Sequence, residues 1–341
     1  MNFEEIFSLA IKNKASDVHL VVDLLPILRI NGILNRLENY PPVSQKDLLS
    51  FVEKNLNNLQ KKNLFDNREL DLSYVTSEEK TRLRVNIFWE KGNLALAARV
   101  IWPHIPTMEE IDLPPISYGL VKLRQGLIII TGPAGCGKST TLASMLDYIN
   151  EHRICHIITL EDPIEFAFSS KKSVISQREL GQDMISFAEA MKHIVRQDPN
   201  VIMVGEMRDL ETIALAVTLA ETGHLILATL HTPSAPQTIS RIIDVFPPNQ
   251  QSQIRLQLSL ALKAIICQHL VPTVSGRRTA AREVLINIPA VSNLIRENQI
   301  QQIISSIQTG ANYGMFTMTQ DLKRLARNKT ISKETFLSYA V

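Results

Sequence analysis

The chain has 341 residues, more than one typical domain, so two domains are expected; 45% of it is hydrophobic, enough for a sizeable core. Lys and Arg (36) nearly balance Asp and Glu (34), and a net charge of +2 argues for no particular polyanion as partner; nucleic acid is not expected. The three cysteines, Cys136, Cys155 and Cys267, are far apart with no CxxC pair, which excludes a cysteine zinc module and a disulfide framework and fits a reducing cytosol.

The first residues carry acids where a secretion signal needs bases, and no run approaches 18 apolar residues. A soluble cytoplasmic protein is expected, with membrane contact only peripheral or through a partner. Residues 3–14 have the spacing of an amphipathic helix. Residues 18–37 read as two short strands around Pro26, turning at Asn31-Gly32. Residues 44–66 place Leu48, Leu49, Val52, Leu56 and Leu59 at helical spacing behind Ser44 as N-cap. Residues 69–75 and 82–101 read as strands. Together they predict a small α+β domain over 1–102.

The next stretch, PHIPTMEEIDLPP, holds four prolines in thirteen residues. Proline removes a backbone donor and restricts its predecessor, so 103–118 is expected to be a linker or an extended crossing. From Gly119 the texture changes. Strand-like apolar runs at 127–131, 156–160, 201–204 and 225–230 alternate with helical segments. That alternation predicts an α/β domain over 119–341 with a mainly parallel sheet covered by helices. Beyond about residue 250 a mostly helical region is expected, with one hairpin around Ser275-Gly276 and a helical part over about 271–341. The Met and Leu spacing after Gly310 reads as core.

Gly132-Pro133-Ala134-Gly135-Cys136-Gly137-Lys138-Ser139, followed by Thr140, fits the phosphate-loop pattern GxxxxGK[ST]. Glycines let the backbone turn tightly enough for its N–H groups to face phosphate oxygens. Lys138 is expected to reach the β and γ phosphates of ATP and Ser139 to ligate Mg²⁺. The helix that starts there adds its positive end. The motif follows an apolar strand and precedes a helix-like run, as that chemistry requires.

Two acidic elements follow. Glu161-Asp162-Pro163-Ile164-Glu165 ends a strand, where open α/β sheets place ligands, and a carboxylate there can polarise an attacking water. The bland alternative is a solvated acidic loop. Val201–Gly205 leads to Glu206, the form of a second nucleotide motif that holds Mg²⁺ directly or through water. His224 and His231 bracket a strand long enough, at about 23 Å, to keep both from one phosphate. His231, at the carboxyl end, is the better sensor of the γ-phosphate; His224 reads as structural or inter-subunit.

The segments GPAGCGKSTT, ITLEDPIEF, QRELGQDMISF, VRQDPNVIMVGEMRDLET and AETGHLILATLHT, with SDVHL, RIIDVFP and NLIRE, resemble in order and spacing the type IV pilus retraction ATPases, the PilT-like branch of the secretion ATPases. The resemblance covers nearly the whole chain. It implies a homohexameric ring of subunits with an N-terminal PAS-like domain and a RecA-like ATPase domain. The ring would act on an inner-membrane pilus platform protein at the cytoplasmic face of that membrane. Glu165 would be the catalytic glutamate, Glu206 the Mg²⁺-associated acid, and His224 and His231 the histidine box. Arg84 and Arg99 would be arginines brought to the nucleotide from the N-terminal domain; without the resemblance, alternating arginines on a strand read as a solvated face. Three positions depart from the family pattern. Ser292 stands for an arginine in the motif usually read AIRNLIRE, Lys192 stands where many relatives carry arginine, and Cys136 stands where the loop usually has Ser or Thr. The rival readings are a pilus-assembly or type II secretion ATPase, an accessory pilus motor, and a nucleotide-dependent assembly module without turnover.

Overall fold

Two spacings of apolar residues organise the chain, and each sheet is built from one of them. The computed structural model describes residues 1–30, 32–78, 81–101 and 104–339. The chain divides into two compact units, Met1–His104 with Pro163–Ala167, and Ile105–Asp162 with Phe168–Val341.

In the first unit, α1 (Phe3–Lys12) buries Phe3, Ile6, Phe7 and Ala10 on one face. It is followed by β1 (Asp17–Val21), β2 (Ile27–Ile30) and β3 (Ile33–Arg36). These are three strands where two were expected. The turn at Gly32, whose φ of 83° suits glycine, separates two four-residue strands; Asn31 lies outside the described residues. The helix expected over 44–66 is two helices, α2 (Gln45–Asn55) and α3 (Asn58–Asn67). Ser44 caps the first. Asn57 caps the second through a reciprocal pair with Gln60, which gives the chain a new start that apolar spacing alone does not signal. β4 (Glu69–Val75), β5 (Arg82–Glu90) and β6 (Asn93–Ile101) complete an antiparallel sheet of order β3-β2-β1-β6-β5-β4. Leu83, Val85 and Ile87 alternate inward along β5 and pack with Phe7, Leu48, Phe51 and Val52 of the helices. The alternate residues, Arg84 among them, face away. The expected end of this domain, Trp102, lies outside the described residues.

The second unit begins with α4 (Ile116–Leu120) and β7 (Gly126–Thr131), then α5 (Lys138–His152), β8 (His156–Glu161), β9 (Val174–Glu179), α6 (Phe187–Ile194), β10 (Val201–Val204), α7 (Leu210–Glu221) and β11 (Leu225–Leu230). It continues through α8 (Ala235–Asp244), α9 (Pro248–Ala261), β12 (Leu262–Pro272), β13 (Arg278–Ile286), α10 (Pro289–Arg296), α11 (Ile303–Thr309), α12 (Met318–Arg327) and α13 (Lys333–Tyr339). The sheet order is β13-β12-β7-β11-β10-β8-β9, parallel except for the final β12-β13 pair. Consecutive residues of β7 serve opposite faces. Leu127 and Ile129 join the core under α6–α11, and Ile128 and Ile130 the core under α5. Such a strand must be apolar throughout, which is why these runs stood out in the sequence.

The hairpin expected at Ser275-Gly276 is present but longer. It contributes the last two strands of the sheet, so the expected helical part becomes helical only from Pro289. The proline-rich stretch belongs to the second unit from Ile105 onward. Met108 and Leu113 are buried there, and the buried Arg282 of β13 donates to the carbonyls of Ile111 and Asp112 at 2.8 Å each. Burial pulls the Arg282 pKa down to about 10. Arg282→Met is expected to destabilise the protein by about 2–3 kcal/mol in urea unfolding, because two charge-assisted hydrogen bonds are lost; an unchanged midpoint would show that this clasp holds nothing.

Candidate phosphate-binding site

Parallel register sets the stage. Thr131 of β7 lies opposite Leu230 of β11, and Val204 of β10 lies opposite both Leu160 of β8 and Ala228 of β11. The strands therefore end along one edge. The loop after Thr131, the acid at Glu161, Gly205-Glu206 and His231 all emerge there, where ligands bind in open α/β sheets.

The loop from Gly132 to Gly137 places glycine where the backbone takes a positive φ. Gly132, Gly135 and Gly137 have φ of 141°, 73° and 86°, and Gly137 precedes the first residue of α5. A Cβ on Gly132 would lie 2.2 Å from the Gln268 carbonyl oxygen, whereas one on Gly135 would meet nothing within 4 Å. Pro133, Ala134 and Gly135 are exposed at the crest, Cys136 is buried, and Ser139 and Thr140 are half-buried on the first turn of α5. Burial raises the Cys136 thiol pKa, although Lys138 opposes it, so the sulfur is a packing group rather than a nucleophile.

The Lys138 ammonium donates to the carbonyls of Gly132 at 2.8 Å and Pro133 at 3.0 Å, and lies 3.4 Å from His231 Nδ1. The other ring nitrogen of His231 is 3.3 Å from Glu206 Oε1, and Arg208 Nη2 is 2.8 Å from Glu206 Oε2. Burial pushes the Glu206 carboxyl upward, but the hydrogen bonds and charges of Arg208 and His231 outweigh it, and its pKa is lowered. Lys138, His231, Glu206 and Arg208 thus form one connected chain of ionisable groups at the strand edge. Thr131 and Thr232 hold the two flanking strands together there. The Thr131 hydroxyl accepts from the Thr232 N–H at 2.9 Å and lies 2.7 Å from its carbonyl.

The remaining sequence-derived residues sit in different settings. Glu161 is buried at the end of β8 and accepts from the Thr159 hydroxyl at 2.6 Å and the Gln177 amide at 3.0 Å. Asp162 is exposed, and its charge acts on Arg208. Glu165 is half-buried within Pro163–Ala167, the stretch counted with the first unit. His224 stands at the other end of β11 from His231, with its Nδ1 3.1 Å from the Leu219 carbonyl at the end of α7. Arg84 and Arg99 belong to the first unit, where they are direct cross-strand neighbours on β5 and β6. Both are exposed. Arg99 Nε donates to Asp17 at 2.9 Å, and Asp17 also lies 3.5 Å from Arg29. Desolvation raises the Asp17 pKa, but hydrogen bonds from Ser16 and Arg99 lower it more.

Sequence reasoning missed Gln268, Thr131, Thr232 and Arg208. Only Gln268 left a trace, as a polar residue inside the apolar run of β12. Of the departures, Ser292 donates to the Ser259 carbonyl at 2.9 Å and Lys192 pairs with Glu189 at 2.7 Å and Glu211 at 2.6 Å. Each therefore has a local partner of its own.

A family model described as Type II/IV secretion system protein matches residues 2–335. The type IV pilus retraction ATPase PilT of Pseudomonas aeruginosa is 42% identical over 334 residues, spanning 98% of this chain and 96% of that protein. A twitching motility protein of Neisseria gonorrhoeae is 46% identical over 310 residues, 91% of this chain and 82% of that protein. A crystal structure of the pilus retraction motor PilT with bound ADP is similar at a TM-score of 0.92 and 42% identity, covering 99% of this chain and 97% of that one.

Gly132→Ala is expected to weaken ADP binding by about tenfold or more, through strain and collision with the Gln268 carbonyl. Gly135→Ala, with strain alone, should lose less; equal losses measured by titration calorimetry would contradict this account of the loop.

Proposed function

The chain belongs to the Type II/IV secretion system protein family, in its PilT-like branch of ATPases with a RecA-like core and a smaller N-terminal α+β domain, and on that footing we propose that it is a homohexameric motor whose ATP hydrolysis powers type IV pilus retraction. The observation that carries the reading is the glycine loop beside Lys138, with Glu206 and His231 aligned at the same strand edge.

In this reading the triphosphate lies against the backbone of Gly132–Gly137 and the positive end of α5. Lys138 exchanges the carbonyls of Gly132 and Pro133 for phosphate oxygens, which costs it little because both sets are oxygen acceptors. Ser139 and Glu206 would hold Mg²⁺. A hydroxyl and a carboxylate kept ionised by its neighbours are the hard oxygen donors that ion takes. When bound, the ion supplies positive charge to the β and γ phosphate oxygens. Thr140 adds a second hydroxyl on the first turn of the helix.

Glu165 accepts a proton from water as its oxygen bonds to the γ-phosphorus and the bond to the β-bridging oxygen breaks, releasing ADP and phosphate. Arg84 and Arg99 neutralise charge spread over the phosphoryl group during transfer. Supplied from another domain, they make turnover depend on domain position, which is what converts hydrolysis into movement. His231, bonded toward both Lys138 and Glu206, registers whether the γ-phosphate is present. The work is delivered to a pilus platform protein at the cytoplasmic face of the inner membrane. Among the described residues no helix is long and apolar enough to cross a membrane.

Two measurements test the proposal. Glu165→Gln should bind nucleotide with unchanged affinity while phosphate release falls about 10²–10⁴-fold, and Arg84→Ala or Arg99→Ala should lower it about 10³-fold; turnover at the wild-type rate in any of them removes that residue from the mechanism. Cells lacking the gene should display surface pili that do not shorten. Bald cells would instead mark an assembly motor, and a wild-type protein that binds ATP without releasing phosphate would mark a nucleotide-dependent assembly module.

A further inference from the structure

The phosphate loop has a support that none of its own residues provides. Gln268 sits in β12 with 1% of its surface exposed, directly after the buried apolar run Ala264–Cys267. β12 runs parallel to β7 with Cys267 opposite Thr131, so Gln268 comes level with the first residue of the loop. Its side-chain amide nitrogen donates to the Cys136 carbonyl at 2.8 Å, and its amide oxygen accepts from the Thr141 hydroxyl at 3.0 Å. A main-chain carbonyl can only accept, so the Cys136 contact settles which end of the amide is which. The main-chain carbonyl of the same residue fills the space beside Gly132 that only glycine leaves open.

One buried side chain thus ties together the two halves of the site. On one side is the buried end of the loop at Cys136; on the other is the first turn of α5, which carries Lys138 and Ser139. A phosphate loop works only if its amides already point at the ligand, since ordering them on binding would consume the affinity they provide. We infer that Gln268 is a positioning residue for the nucleotide, holding the loop in its binding shape through Cys136 and Thr141. The strand that carries it pairs with β13, whose buried Glu283 accepts from the Ala235 N–H at 2.9 Å at the start of α8, four residues after His231. The β12–β13 hairpin therefore touches both the loop and the segment that follows the sensor histidine.

This inference rests on the loop being the nucleotide site, and the experiment separates the two. Gln268→Met keeps length and apolar bulk but makes neither hydrogen bond; Thr141→Val keeps shape and removes the hydroxyl. MgADP binding to the purified full-length protein, steady-state ATP kinetics and the thermal midpoint are measured for both and for the double variant. Gln268→Met should bind MgADP about tenfold more weakly and raise KM for ATP by a similar factor, with kcat changed less and the midpoint within a few degrees. Thr141→Val should show a smaller loss, and the double variant should be no worse than Gln268→Met, because Gln268→Met already removes the Thr141 bond. Wild-type affinity in folded Gln268→Met, or losses that add in the double variant, overturns the inference. If Gln268→Met does not fold, Thr141→Val decides: a severalfold loss supports the role and wild-type affinity overturns it. Absence of MgADP binding in the wild-type protein would instead overturn the nucleotide reading, and this one with it.

Discussion

The alignment of parallel strand ends in the second unit is the constraint on which the site depends. β7, β8, β10 and β11 are buried on both faces, and their registers bring Thr131, Leu160, Val204 and Leu230 to one edge. A shift of one residue in any of these pairs would exchange the side chains that face the two cores and break the packing of both at once. The positions of Gly132, Glu161, Glu206 and His231 are therefore set by hydrophobic burial some distance from any of them. The site inherits the precision of the core.

On that edge, charge does the rest. Lys138, His231, Glu206 and Arg208 touch in sequence, and the Glu206 pKa is lowered because Arg208 and His231 together outweigh the cost of its partial burial. Such a chain responds as a whole, since moving Lys138 changes what His231 faces and then what Glu206 faces. The first unit shows a related arrangement on the exposed face of its sheet. Arg29, Asp17, Arg99 and Arg84 stand opposite one another on four adjacent strands, with the single carboxylate of Asp17 contacting Arg29 and Arg99. That row keeps basic side chains extended from a rigid sheet rather than from a loop.

Some of this was legible in the residues and some was not. The fully buried strands were visible because an element covered on both faces must be apolar throughout. The edge strand β9 was invisible, since VISQRE is mostly half-buried and needs no apolar run. The break at Asn57 was hidden in an Asn and a Gln three residues apart, a cap that apolar spacing does not register. The proline-rich stretch read as a linker because proline reports local stiffness; its place in the second unit depends on Arg282, some 170 residues later in the chain. Gln268 likewise acts on residues more than 100 positions away.

By itself the sequence determined the glycine loop before α5, the acids that follow strands and the alternation of strand and helix, because each depends on residues close together along the chain. Steric freedom of glycine, the reach of lysine and the period of a buried strand are local properties. Only the tertiary structure decided that His231 bridges Lys138 and Glu206, that Thr131 clasps Thr232, and that Gln268 braces the loop. Those contacts join strands distant in sequence, and which strands become neighbours follows from packing two cores against one sheet rather than from any short stretch of residues.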